Sequence, residues 1–348
     1  MKKNLKNKTL RTLDALTHQG LIKENDLPQL EKVVETFSLA ITPTMQALIN
    51  KNNPHDPLAK QFIPDVRELT HTAEELSDPI GDDVHQKVKG IIHRYPDRCL
   101  FLPVSVCPIY CRFCFRREKI GGVDGALSPQ ELDVAFEYIE SHSEIWEVII
   151  TGGDPFILKP KSLQKIIDRL NQITHIAVIR IHTRVPVVDP LRINLDMIHA
   201  LRSEKAVYVL LHANHVQEFT AEAIHACAQL INAGIPMLGH TTLLKGVNDS
   251  VEVLTELMRF LVKNRIKPYY LHHADLAKGT KHFRTTLAES QALMKQLRGR
   301  LSGLCQPTLI LDIPGGYGKV PVGHQYVHWD GDQYKIEDYQ GEFHTYLC

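Results

Sequence analysis

No stretch of the chain approaches the ~18 uninterrupted apolar residues of a membrane-spanning helix. Neither sign of charge is in excess, with Lys+Arg at 40 and Asp+Glu at 40 in 348 residues. A balanced chain offers no general attraction for nucleic acid or an anionic membrane. The basic start, MKKNLKNKTLRTLDAL, lacks the apolar core of a signal peptide. We therefore expect a cytoplasmic protein that binds neither nucleic acid nor membrane. There is no internal repeat and no low-complexity tract. The cysteines are too few and too unevenly spread for a disulfide framework: seven in all, three of them within eight positions. The hydrophobic share of 43% is enough for a large core and excludes a disordered chain.

What is present falls into three parts. Residues 1–92 are polar and helical in period, as in LPQLEKVVETF, where Leu27, Leu30, Val33, Val34 and Phe37 form one stripe. Thr42-Pro43 reads as a helix start. From 93 to 320, short apolar runs alternate with amphipathic ones. The strand candidates are 99–106, 147–153, 176–183, 207–213, 236–244, 267–274 and 308–314, with helix patterns between them. Nearly continuous apolar strands separated by helices argue for a parallel sheet covered by helices. Six such units point to an α/β fold of partial (β/α)6-barrel type, with a doubly wound sheet as the other possibility. Residues 321–348 read as a tail containing a hairpin that turns at Asp330-Gly331.

The sharpest local feature is Cys107-Pro-Ile-Tyr-Cys111-Arg-Phe-Cys114, placed just after the first barrel strand. Three thiolates at this spacing can hold one face of a [4Fe–4S] cube, leaving one iron open. Zinc with a distant histidine is a second reading, although zinc sites usually show a second paired half. Simple packing is a third. Next comes Thr151-Gly152-Gly153-Asp154-Pro155, whose glycines allow close backbone approach to a ligand or, equally, a structural turn. Finally, Asp312-Ile-Pro-Gly-Gly-Tyr-Gly-Lys319 puts three glycines before one lysine. It is not a phosphate-binding P-loop, since no Ser/Thr follows the lysine. Lys319 can be a nucleophile that holds pyridoxal phosphate, or an exposed lysine on a turn.

Taken together and in order, HRYPDRCL, CPIYCRFCFRREKIGG, TGGDPFIL, HHADLAKGTKHFRT and LDIPGGYGKVPV resemble the lysine 2,3-aminomutase family of the radical S-adenosylmethionine superfamily. The resemblance covers roughly residues 50–330. It implies an isomerase with three cofactors: a [4Fe–4S] cluster on Cys107, Cys111 and Cys114, S-adenosylmethionine, and pyridoxal 5′-phosphate on Lys319. By the same resemblance Gly152, Gly153 and Asp154 meet the methionyl amine, and Arg94, Tyr95 and Arg98 contact pyridoxal phosphate. Arg116 takes the substrate α-carboxylate, while Asp275 and Asp312 take the side-chain ammonium of L-lysine. The implied reaction exchanges the α-amino group with a hydrogen on C3 to give β-lysine. A flavodoxin or ferredoxin reductant and a homo-oligomer are implied as well.

Some features depart from the family. The tail lacks the cysteine cluster that binds zinc between subunits in longer members, so zinc is not expected. Thr241-Thr242 stands where Gln-Ser is common. A short relative acts on a lysine of translation elongation factor P, but the acid at Asp312 and the segment REKIGG favour free lysine. Two acids facing the substrate also disfavour an acidic amino acid.

Overall fold

The computed structural model describes residues 8–121, 125–331 and 333–347. Strands β1 (Gln86–Val88), β2 (Ile91–Tyr95), β3 (Arg98–Val104), β4 (Glu147–Gly152), β5 (Val178–Thr183), β6 (Ala206–His212), β7 (Met237–Leu243), β8 (Ile266–His273), β9 (Thr308–Ile313) and β10 (Gly318–Pro321) form one sheet in sequence order. Pairing is parallel from β3 through β9. It is antiparallel where β1 and β2 lead in and where β10 folds back on β9. The two edges, β1 and β10, do not pair with each other. The sheet is thus an open barrel of six β/α units and a closing strand, as the alternation of apolar and amphipathic runs predicts.

The strands sit where their aliphatic runs do, because residues buried on one side against helices and on the other inside the barrel have no polar face to spare. The helices show the complementary stripe. In Pro160–Gln172 it is Leu163, Ile166, Ile167 and Leu170 that are buried. Each such side chain contributes about 1.5–3 kcal/mol. Helix Pro129–Ser141 starts on a reciprocal cap between Ser128 and Glu131, with proline in the first turn. Helix Ala221–Asn232 is followed by Gly234 at φ +86°, a left-handed stop suited to glycine.

The N-terminal part holds short helices, among them Leu27–Thr36 and Pro43–Leu48, the latter capped by the Thr42 side chain. Leu30, Val33, Phe37 and Met45 join the same hydrophobic core as the barrel helices. The tail forms a separate sheet of β11 (Val327–Asp330), β12 (Gln333–Glu337) and β13 (Phe343–Tyr346). Its first two strands are the expected hairpin, with Asp330 opposite Gln333. No helix among the described residues is long and apolar enough to cross a membrane.

Candidate active site

Strand β3 delivers the chain to the cysteine loop, and the N-terminal helices hold that loop in place. The amide of Tyr110 donates to the Ala40 carbonyl at 3.1 Å, and that of Arg112 to the Gln61 carbonyl at 2.8 Å. Arg112 is wholly buried and donates through Nε to both Glu68 oxygens at 3.0 and 3.1 Å; Arg117 binds the same carboxylate. Removing one partner from such a buried group costs about 3–5 kcal/mol, because a charge is left unpaired.

Cys107, Cys111 and Cys114 are all free thiols, part-exposed. Burial pushes all three up in pKa, Cys114 to about 11, and the neighbouring thiols add to the shift at Cys107 and Cys114. At Cys111 the Arg184 guanidinium opposes it. Cys107 and Cys114 both pack against the cluster of Ala40, Tyr110 and Ile120. Among the described residues, however, no three His, Cys, Asp or Glu groups converge on one ion. Thiolates of a cube are bound to separate irons. Ligation to iron would supply the positive charge that ionises them.

The glycine pair ends β4 against the backbone that enters this loop. Gly152 has φ +107°, and a Cβ there would lie 2.5 Å from the Val104 carbonyl oxygen. A Cβ on Gly153 would run into the Val106 backbone. The amides of Gly153 and Asp154 donate to the Val104 and Val106 carbonyls at 2.7 and 3.0 Å. The close approach these glycines allow is made here to the protein's own chain at residues 104–106, just before Cys107. Asp154, expected beside the methionyl amine, is anchored within the fold. Its carboxylate is buried and accepts from Thr183 Oγ1 and the Arg184 amide, both at 2.7 Å, and from the Phe156 amide at 3.0 Å. It fixes neighbouring strand ends. Gly153→Ala should lower stability by about 1–3 kcal/mol through overpacking and displace the cysteine loop. Thermal unfolding and bound iron per chain measure the two effects; wild-type values of both would refute this packing account.

Lys319 lies on β10 directly opposite Asp312 on β9, and its Nζ is ion-paired to that carboxylate. Its amide donates to the Tyr95 hydroxyl at 2.7 Å. Gly318 is required beside it, because a Cβ there would meet the same hydroxyl at 2.8 Å. Ion pairs continue from Lys319 back to the cysteine loop. Asp312 meets Arg94 at 3.3 Å, Arg94 meets Asp82 at 3.6 Å, and Asp82 accepts from Arg116 Nε at 2.7 Å. The sequence reading sets Arg94 against a phosphate; here it lies between two acids while also facing the cavity. Asp275 has no hydrogen-bond partner among the described residues. Burial first, then the nearby Asp312, push it up to about 7, with Lys319 opposing.

Inside the barrel, a cavity of about 470 Å³ is lined by Lys319, Arg94, Tyr95 and Arg98 and by alternate residues of β5 to β8, including Arg180. The three loop cysteines, Arg116, Asp275 and Asp312 do not line it; Arg116 is linked to its wall through the ion pairs. Arg98 stacks on the Tyr95 ring at 3.8 Å and pairs with Asp97 at 2.6 Å. His182, His240 and His272 project from β5, β7 and β8 into this space, His240 stacked 4.0 Å from His272. Burial holds all three rings below their usual pKa, so they are neutral at pH 7. Nε2 of His182 and of His272, and Nε of Arg94 and Arg180, are buried without partners. A phosphorylated, polar cofactor attached near Lys319 fits a space that presents these unmet groups. Sequence reading missed the histidines and Asp82. Histidine near the end of each of four consecutive strand runs, IRIHT, VLLHA, LGHTT and YLHHA, is a signal that could have found the former.

Comparison with known proteins adds a family. The radical SAM superfamily matches residues 101–258. The L-lysine 2,3-aminomutase of Clostridium subterminale is 37% identical, over 97% of this chain and 81% of its own. That of Acetoanaerobium sticklandii is 40% identical, over 91% and 77%. A glutamate 2,3-aminomutase of Clostridioides difficile is 35% identical, over 94% and 80%. Identity of this size does not separate the two substrates, so the side chains of the site must.

Proposed function

Since the chain belongs to the lysine 2,3-aminomutase family of the radical SAM superfamily, we propose that it isomerises L-lysine to β-lysine. The family works with a [4Fe–4S] cluster, S-adenosylmethionine and pyridoxal phosphate. When bound, these supply an organic radical that takes hydrogen from C3 and an electron-accepting group that carries the migrating nitrogen.

The residues of this chain bind and orient. Cys107, Cys111 and Cys114 would hold the cluster, with Gly152 and Gly153 fixing the backbone beside it. Lys319 would hold pyridoxal phosphate, with Arg94, Tyr95, Arg98 and the neutral histidines around it. Arg116 is held by Asp82 through Nε alone, which leaves its terminal nitrogens for the substrate α-carboxylate. Asp275 and Asp312 receive the distant ammonium. A flavodoxin- or ferredoxin-type protein would deliver the electron, and the working form would be a homo-oligomer.

The unpaired acid at Asp275, beside Asp312, is the observation that carries lysine over glutamate. A second carboxylate brought to ~4 Å from either acid would be repelled by about 1–4 kcal/mol. The test is anaerobic incubation of the reconstituted enzyme with reductant, S-adenosylmethionine and pyridoxal phosphate, in parallel with L-lysine and L-glutamate. β-Lysine should form at least tenfold faster than β-glutamate. Equal rates, or β-glutamate alone, would sink the substrate assignment.

A further inference from the structure

Arg184 is a charged group whose hydrogen bonds join the cysteine loop, the N-terminal helices and the barrel. It follows β5 directly. Its Nη1 donates to Cys111 Sγ at 3.2 Å. Its Nη2 donates to Gln61 Oε1 and to Glu218 Oε2, both at 2.7 Å. Its amide is held by Asp154. Glu218 is pinned in turn by the amides of Asn214 and His215 at 2.8 and 3.0 Å. The guanidinium lies near the rings of Phe62 and Phe113, 4.8 and 5.5 Å from their centres. Arg184 and Glu218 are both buried.

These contacts leave the guanidinium one orientation. One terminal nitrogen serves the sulfur and the other serves the carboxylate and the Gln61 amide oxygen, so a charged N–H is directed at Cys111. We propose that Arg184 is a positioning residue that sets the reduction potential of the iron–sulfur cluster by donating a fixed N–H···S hydrogen bond to Cys111. This rests on the reading that the three cysteines hold a cluster. Donors to cluster sulfurs stabilise the reduced, more negative state and raise the potential. A planar fork is needed to serve sulfur, amide and carboxylate together, which a lysine cannot do. The same fork makes the electronic state of the cluster depend on Gln61, a residue of the N-terminal helices. That gives those helices a part in the redox chemistry beyond packing.

The test uses the full chain, reconstituted anaerobically, as wild type, R184Q and R184K. The midpoint potential is read from the reduced-cluster electron paramagnetic resonance signal during a redox titration, with iron and sulfide content measured alongside. Both variants should show a more negative midpoint than wild type, R184Q the more so. R184K keeps the buried positive charge that Glu218 requires, and carries the test alone if R184Q does not retain iron. A wild-type midpoint in a variant with full iron content would overturn the proposal. A wild-type protein that takes up no cluster would instead overturn the reading on which it rests.

Discussion

Replacing Lys319 with alanine is expected to reduce β-lysine formation by roughly 10⁴-fold or more, the scale on which loss of a covalent catalytic group is felt. Iron and sulfide content should not change. The separation follows from where the contacts lie. The Lys319 side chain pairs with Asp312, and its backbone is held by Tyr95 and by β9. Alanine keeps the backbone contacts and fits a strand edge. The cysteine loop is anchored elsewhere, by Glu68, Gln61 and Ala40. Wild-type protein treated with borohydride should retain pyridoxal on Lys319, and the variant should retain none. Turnover within tenfold of wild type would remove Lys319 from the chemistry.

Asp275→Asn should lose lysine turnover and gain stability. The loss comes from leaving the substrate ammonium short of one buried counter-charge, about 3–5 kcal/mol, or about 10²–10³-fold in kcat/KM. The gain comes from the raised acid. Its folded pKa of about 7 lies above the ordinary value of 3.8. The folded state therefore holds a proton that the unfolded state releases between these two values. Stability from this group is complete below about pH 4, falls as pH rises to about 7, and stays lost above it. Asparagine has no such dependence. Denaturant unfolding of the ligand-free proteins should show the variant more stable by about 1–3 kcal/mol at pH 8 and the two converging at pH 4. In the wild type, kcat/KM for lysine should fall as pH is lowered through about 7, because a protonated Asp275 no longer attracts the ammonium. A variant no more stable than wild type at pH 8 would show that Asp275 is not held in an unfavourable charged state.

The barrel was legible because its signals are local. Aliphatic runs and 3.6-residue stripes report burial directly, and strands β3 to β9 fall within a residue or two of those runs. The short strands β1, β2, β10 and β13 were not, since each is largely polar or glycine-bearing and owes its form to a neighbour. The same division runs through the site. The cysteines stand out by spacing alone, and Lys319 by its glycine-rich segment together with the family resemblance. Asp82 and Arg184 do not, because what distinguishes them is a partner 34 or 73 positions away. Asp154 and the glycines before it were visible as a turn, yet only the fold shows that the crowding comes from residues 104–106.

The barrel wall is a hoop whose ends are clasped rather than welded. Where other neighbours are stitched by main-chain ladders, β2 is joined to β10 and β9 by the Tyr95 phenol on the Lys319 amide and the Arg94 guanidinium on Asp312, with His85 on the Gly316 carbonyl nearby. The amine that would carry pyridoxal phosphate is thus mounted on the fastening itself. A cofactor held by groups on both sides of that seam would add a further fastening across it.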